Sequence, residues 1–268
     1  MKILVAVKQV ANLDDEFEIR EDGKDVDHDF CDYEMNEWDD YSLEEALLIK
    51  ENNGNEGEIV VVTIGPEDAE DELRKCLGKG ADRGIRVWDD AIGGSDQYVT
   101  AKLLAKVVEK ENPDMVFVGV QAADHAFAQT GISVAQILGW PHAAVVSSLD
   151  YSPHYSPGAA QATLRRELEG GLEEEVTIDC PAVLTIQLGI NSPRYASLRG
   201  IKQAKAKPLD ELTHADLGLD DDDVGEAGSV SRIRRMFIPE KAHAELIEGT
   251  PAEQAVRLAE IIKEHTGA

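Results

Sequence analysis

The segment that decides the fold is Met115-Val116-Phe117-Val118-Gly119-Val120-Gln121-Ala122-Ala123-Asp124-His125-Ala126-Phe127-Ala128-Gln129-Thr130-Gly131. It begins with an apolar run, passes through a turn of small residues, amides and one acid, and leads into a helical pattern. A strand that ends in glycine before such a turn and a helix places backbone N–H groups and a helix N-terminus where a phosphate can bind. A plain connection between strand and helix has the same pattern, so both interpretations stay open.

The residues before this segment predict strands alternating with helices. Apolar runs predict buried strands at 3–7, 59–64, 81–88 and 115–119. Helical spacing predicts helices from Ser42 to 52, from 67 to 78 and from 97 to 109. Ser42 and Glu45 have the spacing of a capping box, and Ser95 or Asp96 is expected to cap the third helix. This alternation predicts an α/β fold with a doubly wound, mainly parallel sheet.

Ligands of such sheets bind at the carboxyl ends of the strands. The sequence places four segments there: Ala6 to Gln9, Asn36 to Asp39, Ile64 to Pro66, and Gly119 to Thr130. Within the last segment, His125 is either a ligand or catalytic residue or a hydrogen-bonding loop residue. Asp124 either holds a ribose or fixes the turn through an Asx hydrogen bond. We expect these four segments to form one nucleotide-type rim.

The pattern changes after Pro141 to short β-rich runs. Runs at 143–149, 160–168, 175–178 and 182–188 predict antiparallel hairpins that extend the sheet, over about 142–190. We therefore predict a nucleotide-binding α/β domain over 1–208, which ends in a loop over 191–207. Residues 209–268 are predicted to form a C-terminal arm that packs on a partner, because 210–228 is acidic and poor in apolar residues. An amphipathic helix is expected over 252–265.

The 191–207 loop is basic in a chain that is otherwise strongly acidic. Five basic residues lie within it: Arg194, Arg199, Lys202, Lys205 and Lys207. One interpretation is the solvated face of a helix. The other is a docking patch with Leu198 as its apolar anchor.

Composition limits the function classes. The chain has 26 Lys and Arg against 53 Asp and Glu, a net charge of −27, which excludes nucleic acid and anionic membranes as partners. The acids are dispersed, which favours a halophilic source. Cys31, Cys76 and Cys180 form no CxxC pair and predict neither a disulfide framework nor a zinc site. No apolar run reaches membrane-spanning length, and the first, at 3–7, is too short for a signal peptide, so a cytoplasmic location is expected.

Motifs of stand-alone enzymes are missing. The sequence has no GxSxG, Walker A, HExxH or GxGxxG motif, and its seven histidines are scattered. The run Gly93-Gly94-Ser95-Asp96 is similar to part of the pyrophosphatase loop of adenylating enzymes, but its order and flanks are wrong for that loop. We therefore predict no catalytic or metal-binding residues.

Ordered motifs along nearly the whole chain resemble the electron transfer flavoprotein beta subunit family, which includes the Fix type. The matching stretches are Val5-Ala6-Val7-Lys8-Gln9-Val10, Met35-Asn36, Ser42-Leu43-Glu44-Glu45-Ala46, Gly78-Lys79-Gly80-Ala81-Asp82-Arg83-Gly84, Gly119-Val120-Gln121-Ala122, Gln129-Thr130-Gly131, Gly139-Trp140-Pro141, Arg166-Glu167-Leu168-Glu169-Gly170-Gly171 and Pro193-Arg194-Tyr195-Ala196-Ser197-Leu198.

The resemblance implies an electron carrier rather than a stand-alone enzyme. An alpha subunit would share a redox-active FAD with this chain, and electrons would pass from flavin dehydrogenases of the acyl-CoA type to a quinone oxidoreductase. The rim would hold AMP or, in the bifurcating branch, a second FAD. The implied cofactor-binding residues are Ala6, Asn36, Glu37, Trp38, Asp39, Ile64 and all residues from Gly119 to Thr130. The implied docking residues are Tyr195, Leu198, Arg199, Lys202 and Lys205.

Two departures from the family pattern leave the ligand of the rim open. Asn36-Glu37 stands where the family usually has Asn-Pro, and the turn Asp124-His125-Ala126-Phe127-Ala128-Gln129 matches neither the AMP type nor the FAD type. Adenine nucleotide is the expectation common to both. The competing hypotheses are a homodimeric nucleotide-binding regulator of the universal-stress type and an adenylating ligase.

Overall fold

A computed structural model describes residues 1–13, 17–151, 161–239, 244 and 246–267. Within these residues the main sheet contains β1 Lys2–Ala6, β4 Glu58–Ile64, β5 Arg83–Val87, β6 Met115–Gly119, β7 His142–Asp150, β8 Gln161–Leu168, β9 Leu172–Asp179, β10 Ala182–Ile186 and β11 Leu209–Leu212. A small second sheet pairs β2 Gln9–Ala11 with β3 Tyr33–Met35. The α-helices are α1 Glu37–Asn52, α2 Glu70–Lys79, α3 Gln97–Glu111, α4 Thr130–Leu138, α5 Leu198–Ala204, α6 Gly225–Gly228 and α7 Pro251–Thr266.

The main sheet has the strand order β11-β5-β4-β1-β6-β10-β7-β8-β9. All pairs from β11 to β7 are parallel, and β8 and β9 continue the sheet as antiparallel strands. β1 lies in the centre, where Val5 pairs with Val61 of β4 and Phe117 of β6. The predicted α/β fold with a doubly wound, mainly parallel sheet is confirmed.

Both faces of the central strands are buried, which explains their continuous apolar runs. Ile3 and Val5 of β1 belong to the core on one face, with α1 and α2. Leu4 and Ala6 belong to the core on the other face, with α3 and α4. The N–H groups at the start of α3 are capped by Asp96, as the sequence predicts.

The antiparallel extension is smaller than predicted. β10, assigned to it from the sequence, is a parallel strand inserted between β6 and β7. Every residue of β10 is buried, so its apolar run has the pattern of the central strands. A short apolar run does not specify the direction of its neighbours, which is why the sequence misplaced it.

The predicted start of α1 is wrong. The helix begins at Glu37 after Asn36, and Ser42 lies inside it, where its hydroxyl donates to the carbonyl of Trp38 at 2.9 Å. Glu45 is buried and accepts a hydrogen bond from Asn191 instead of capping a helix end. The spacing of a capping box therefore occurs here within a helix.

Residues between 209 and 224 contribute to the main sheet and to its core on the α3 face. β11 pairs with β5 as an edge strand, and Leu217, Leu219 and Val224 are buried in the core on the α3 face. This first part of the predicted C-terminal arm is therefore in contact with the sheet and its core, although it is acidic and poor in apolar residues. Beyond it, α7 confirms the predicted C-terminal helix, and its described residues are almost all exposed.

Two further outcomes concern loops. An isolated antiparallel bridge joins Ile19 and Val26 on either side of the turn at 21–24. Residues 152–160, which include the link between the predicted runs at 143–149 and 160–168, lie outside the described residues. Across the described chain, none of the helices has the length and apolar character needed to cross a membrane.

Candidate functional site

A buried carboxylate joins the carboxyl ends of β1 and β6. Asp39, in the first turn of α1, accepts hydrogen bonds from the backbone N–H groups of Lys8 at 2.7 Å and Gly119 at 3.0 Å. Gly119 is required for this approach, because a Cβ there would overlap Asp39 Oδ1 and Trp38 Cβ. The structure thus brings together Ala6 at the end of β1, the start of α1 and the end of β6.

Asn36 shapes the turn that follows β6. Its side-chain nitrogen donates to the carbonyl of Gln121 at 2.9 Å, and its side-chain oxygen accepts from the N–H of Ala123 at 3.1 Å. Its own backbone N–H donates to the carbonyl of Lys8 at 2.9 Å. Asn36 is buried, so both functions of its amide are used within the protein. Its role is to fix the backbone of the rim.

Lys8 lies in the predicted rim segment Ala6 to Gln9, although it is not among the cofactor-binding residues that the resemblance implies. Its ammonium group lies 2.6 and 2.7 Å from the two carboxylate oxygens of Asp124 and 3.1 Å from Nδ1 of His125. The Asp124 carboxylate also accepts from the N–H of His125 at 2.7 Å. The signal in the sequence was a lysine directly after a buried strand. Its pairing with a residue 116 positions away was not visible there.

The turn presents an aromatic pair to solvent. The rings of His125 and Phe127 are stacked, with centroids 5.7 Å apart and planes inclined by 7°. Ala126 and Ala128 have positive φ angles of 52° and 53°, a conformation that non-glycine residues rarely adopt. Partial burial and the nearby Lys8 charge lower the pKa of His125, which favours the neutral form of its ring. A neutral ring next to a lysine suits stacking and hydrogen bonding.

The N-terminus of α4 has no internal cap. Gln129, at the N-cap position, makes no capping hydrogen bond, and the first turn contains no acidic residue. The backbone N–H groups from Phe127 to Gly131 donate to no described residue. Because these N–H groups and the helix dipole favour an anion, this end of α4 fits a phosphate group.

Burial changes the proton affinity of Asp39. Removal from water raises the pKa of this carboxyl to about 7, although the N–H groups of Lys8 and Gly119 oppose the shift. A negative charge on Asp39 is therefore costly close to neutral pH. The same carboxyl group therefore both holds the backbone of Lys8 and Gly119 in place and titrates close to neutral pH.

The remaining predicted rim residues occupy different surroundings. Trp38 is half-buried, and its Nε1 donates to Gln187 Oε1 at 3.1 Å. Glu37 is exposed. Ile64 ends β4 at the same edge of the sheet and packs partly against the α3-side core. Gln129 accepts a hydrogen bond from Gln97 at 3.1 Å.

The predicted docking residues lie on the loop after β10 and on α5. Tyr195 is 96% exposed and Leu198 is 82% exposed. Arg199, Lys202 and Lys205 are exposed and form no ion pair with any described residue. The other two basic residues are used internally: Arg194 pairs with Glu44 and Glu51, and Lys207 donates to the carbonyls of Leu77 and Ala81. Three cations therefore remain for a partner.

α5 is held tightly against α2. A Cβ on Gly200 would overlap the carbonyl of Gly78, so the helices approach closely at this point. Arg74 of α2 donates to the carbonyl of Ala204 at 3.0 Å, at the end of α5. The exposed residues of α5 are thus carried on a fixed helix.

Known proteins match this chain over much or all of its length. A family model described as "Electron transfer flavoprotein domain" matches residues 28–217. An electron transfer flavoprotein subunit beta of Methylophilus methylotrophus is 62% identical over all of both chains. The subunit beta of Bradyrhizobium diazoefficiens is 40% identical, covering 82% of this chain and 84% of its own. That of Bacillus subtilis is 33% identical over 98% of each chain.

Proposed function

The chain belongs to the electron transfer flavoprotein family, among its beta subunits, and on this premise we propose that it works with an alpha subunit as an electron carrier. The pair would accept electrons from flavin dehydrogenases of the acyl-CoA type and pass them to a quinone oxidoreductase, in a cytoplasm adapted to salt. The similarity to named beta subunits over the full chain supports this proposal.

An exposed apolar surface supports a heterodimer. The segment after the sheet domain exposes many large apolar side chains: Val230, Ile233, Phe237, Ile238, Leu246, Val256, Leu258 and Ile262. Large exposed apolar side chains concentrated in one segment are typical of a surface that packs on a partner. We propose that 229–268 packs on the alpha subunit, which narrows the arm predicted from the sequence.

FAD would be shared with the alpha subunit and would supply the redox chemistry when bound, because its ring accepts and releases electrons. The part of this chain would be to hold and orient the flavin. Trp38 has a fixed ring for such a wall, since its indole N–H is held by Gln187. Gln187 in turn donates to Glu167 at 3.0 Å, which extends the support.

The rim would bind an adenine nucleotide, either AMP or a second FAD. The observation that carries this proposal is the uncapped N-terminus of α4, whose free N–H groups face the turn after β6. A phosphate there would supply the missing acceptors. Lys8, whose ammonium group pairs with Asp124, lies at the same edge of the sheet.

Docking of the dehydrogenase would use Tyr195 and Leu198 together with Arg199 and Lys202 of α5 and Lys205 directly after it. Exposed apolar residues surrounded by charge are typical of transient interfaces, where the apolar residue anchors and the charges steer. Leu198→Ala should therefore slow electron transfer from a dehydrogenase and leave the flavin content unchanged. Equal transfer rates in wild type and variant would contradict the docking assignment.

The deciding experiment is to purify this chain with its alpha subunit, denature the complex and count FAD and AMP per heterodimer. One FAD and one AMP support a simple carrier. Two FAD support the bifurcating type. A complex without flavin, or a chain that forms only homodimers, would overturn the proposal.

A further inference from the structure

The first part of the docking loop, residues 191–198 of 191–207, is fixed to α1 mainly by one arginine. Arg194 Nε lies 2.8 Å from Glu44 Oε2, and its Nη2 lies 2.9 Å from Glu44 Oε1. Its Nη1 and Nη2 donate to the two carboxylate oxygens of Glu51 at 2.5 and 3.0 Å. The backbone N–H of Arg194 also donates to Glu44, at 3.1 Å. One residue thus clamps the loop to two acids that are seven residues, or about two turns, apart on the helix.

The clamp lies partly inside the protein. The Glu44 side chain is only 6% exposed, so its charge depends on Arg194 for compensation. Asn191, three residues earlier, reinforces the attachment by donating to the Tyr41 carbonyl at 3.0 Å and to Glu45 at 2.9 Å. The hydrogen bonds from Arg194 lower the pKa of Glu51, as expected for a pair that favours the charged carboxylate.

Arg194 has little capacity left for a partner protein. Nε, Nη1 and Nη2 all donate to Glu44 or Glu51, and two carboxylates balance its charge. The next residue, Tyr195, is 96% exposed, and Leu198 is 82% exposed. Arg194 therefore attaches the loop to α1, whereas Tyr195 and Leu198 are exposed to solvent.

We propose that Arg194 is a positioning residue that presets the docking loop for a flavin dehydrogenase without contacting the dehydrogenase itself. This inference rests on the docking function proposed above. A loop that is already fixed loses less conformational entropy on binding, so its apolar anchors bind more tightly. The clamp attaches the loop to the helix whose N-terminus forms the rim, and so the docked dehydrogenase is placed relative to the rim.

The test uses the FAD-loaded heterodimer and an acyl-CoA dehydrogenase with its substrate. Arg194→Met removes the clamp, and Arg194→Lys keeps the charge but not the forked geometry. We expect Arg194→Met to raise the KM for the flavoprotein about fivefold, with kcat and FAD content unchanged. Arg194→Lys should lie between wild type and Arg194→Met. Faster hydrogen exchange of the amides from 195 to 200 should accompany the higher KM.

A double variant separates positioning from stability. Arg194→Met leaves Glu44 buried without a partner, whereas Glu44→Gln with Arg194→Met removes that buried charge and should restore the thermal midpoint. The KM of the double variant should stay high, because the loop is still free. A KM that returns to the wild-type value together with the midpoint would overturn the inference.

Leu198→Ala in the same assay tests the docking function separately. A raised KM for Leu198→Ala with an unchanged KM for Arg194→Met would overturn the positioning role alone. An unchanged KM for Leu198→Ala would overturn the docking function and the inference that rests on it.

Discussion

Asp39 Oδ1 lies 3.0 Å from the backbone nitrogen of Gly119, although the two residues are 80 positions apart in the chain. The contact joins the first turn of α1 to the end of β6, and it leaves no room for a side chain at position 119. This junction supports the whole rim, because the turn after β6 starts from it. Two predictions follow from its geometry and its charge.

Gly119→Ala should destabilise the protein by about 2 to 3 kcal/mol, because the new methyl group must displace Asp39 or Trp38. Urea unfolding of the heterodimer measures the change. Gly84→Ala is the matched control on another strand of the same sheet, where the nearest atom to the new Cβ is 3.4 Å away. Equal losses for the two variants would show that the Asp39 junction is not the cause.

Asp39 should make the stability depend on pH. The pKa of its carboxyl is raised from 3.8 to about 7 by burial, so between these values the folded state binds more protons than the unfolded state. The contribution of Asp39 to the free energy of unfolding is therefore fully present at low pH and is lost as the pH rises through about 7. In Asp39→Asn this loss is absent.

The measurement compares wild type and Asp39→Asn by urea unfolding at pH 5 and pH 8. Between pH 5 and pH 8, the free energy of unfolding of wild type should fall relative to that of Asp39→Asn by about 2 to 3 kcal/mol. Glu37→Gln, which removes an exposed acid from the same turn of α1, should leave the profile unchanged. Parallel profiles for wild type and Asp39→Asn would contradict the raised pKa.

Gln129→Asp should show whether the N-terminus of α4 binds a phosphate or is only a helix end without a cap. An aspartate at the N-cap supplies an acceptor to the free N–H groups of α4, which should stabilise the nucleotide-free protein by about 0.5 to 1 kcal/mol. Its negative charge should exclude a phosphate from the same place. The expected outcome is a higher thermal midpoint without nucleotide and a loss of adenine nucleotide from the purified heterodimer.

Gln129→Asn is the neutral counterpart of that variant. It supplies a similar cap without the charge, so it should retain more nucleotide than Gln129→Asp. Nucleotide content that is identical in wild type and both variants would place the phosphate elsewhere.

Replacement of Lys202 and Lys205 by alanine should weaken the association with a dehydrogenase mainly through its rate. Both lysines are exposed and unpaired within the described chain, so they can steer an acidic partner in a molecule that is otherwise strongly negative. The association rate at low salt should fall by about threefold to tenfold, and its dependence on ionic strength should become weaker. Stopped-flow reduction of the flavin at several salt concentrations measures both effects.

Lys110→Ala is the control for net charge, because Lys110 is exposed at the end of α3 and outside the docking loop. It changes the net charge by one, against two in the double lysine variant, without touching α5, so the rates are compared per charge removed. A similar loss of rate in Lys110→Ala would show that total charge, and not the placement of the lysines, controls association.

The sequence predicted the central strands because each is an apolar run that buries both faces, and the order of strands and helices followed from that pattern. It misplaced β10 because an apolar run has no information on the direction of its neighbours. It misplaced the start of α1 because the Ser42 and Glu45 spacing also fits a helix interior. Local sequence patterns therefore predicted which segments are helices or strands better than they predicted where each element ends or which strands it lies next to.

The chain by itself determined the α/β alternation, the turn after β6 and the family, since these depend on residue types at short spacing. Only the tertiary structure decided that Lys8 pairs with Asp124, and that Arg194 faces Glu44 while Leu198 faces solvent. The physical reason is that such contacts join side chains far apart in sequence. Their existence depends on sheet order and helix packing, which bring the chain segments together before any single hydrogen bond can form.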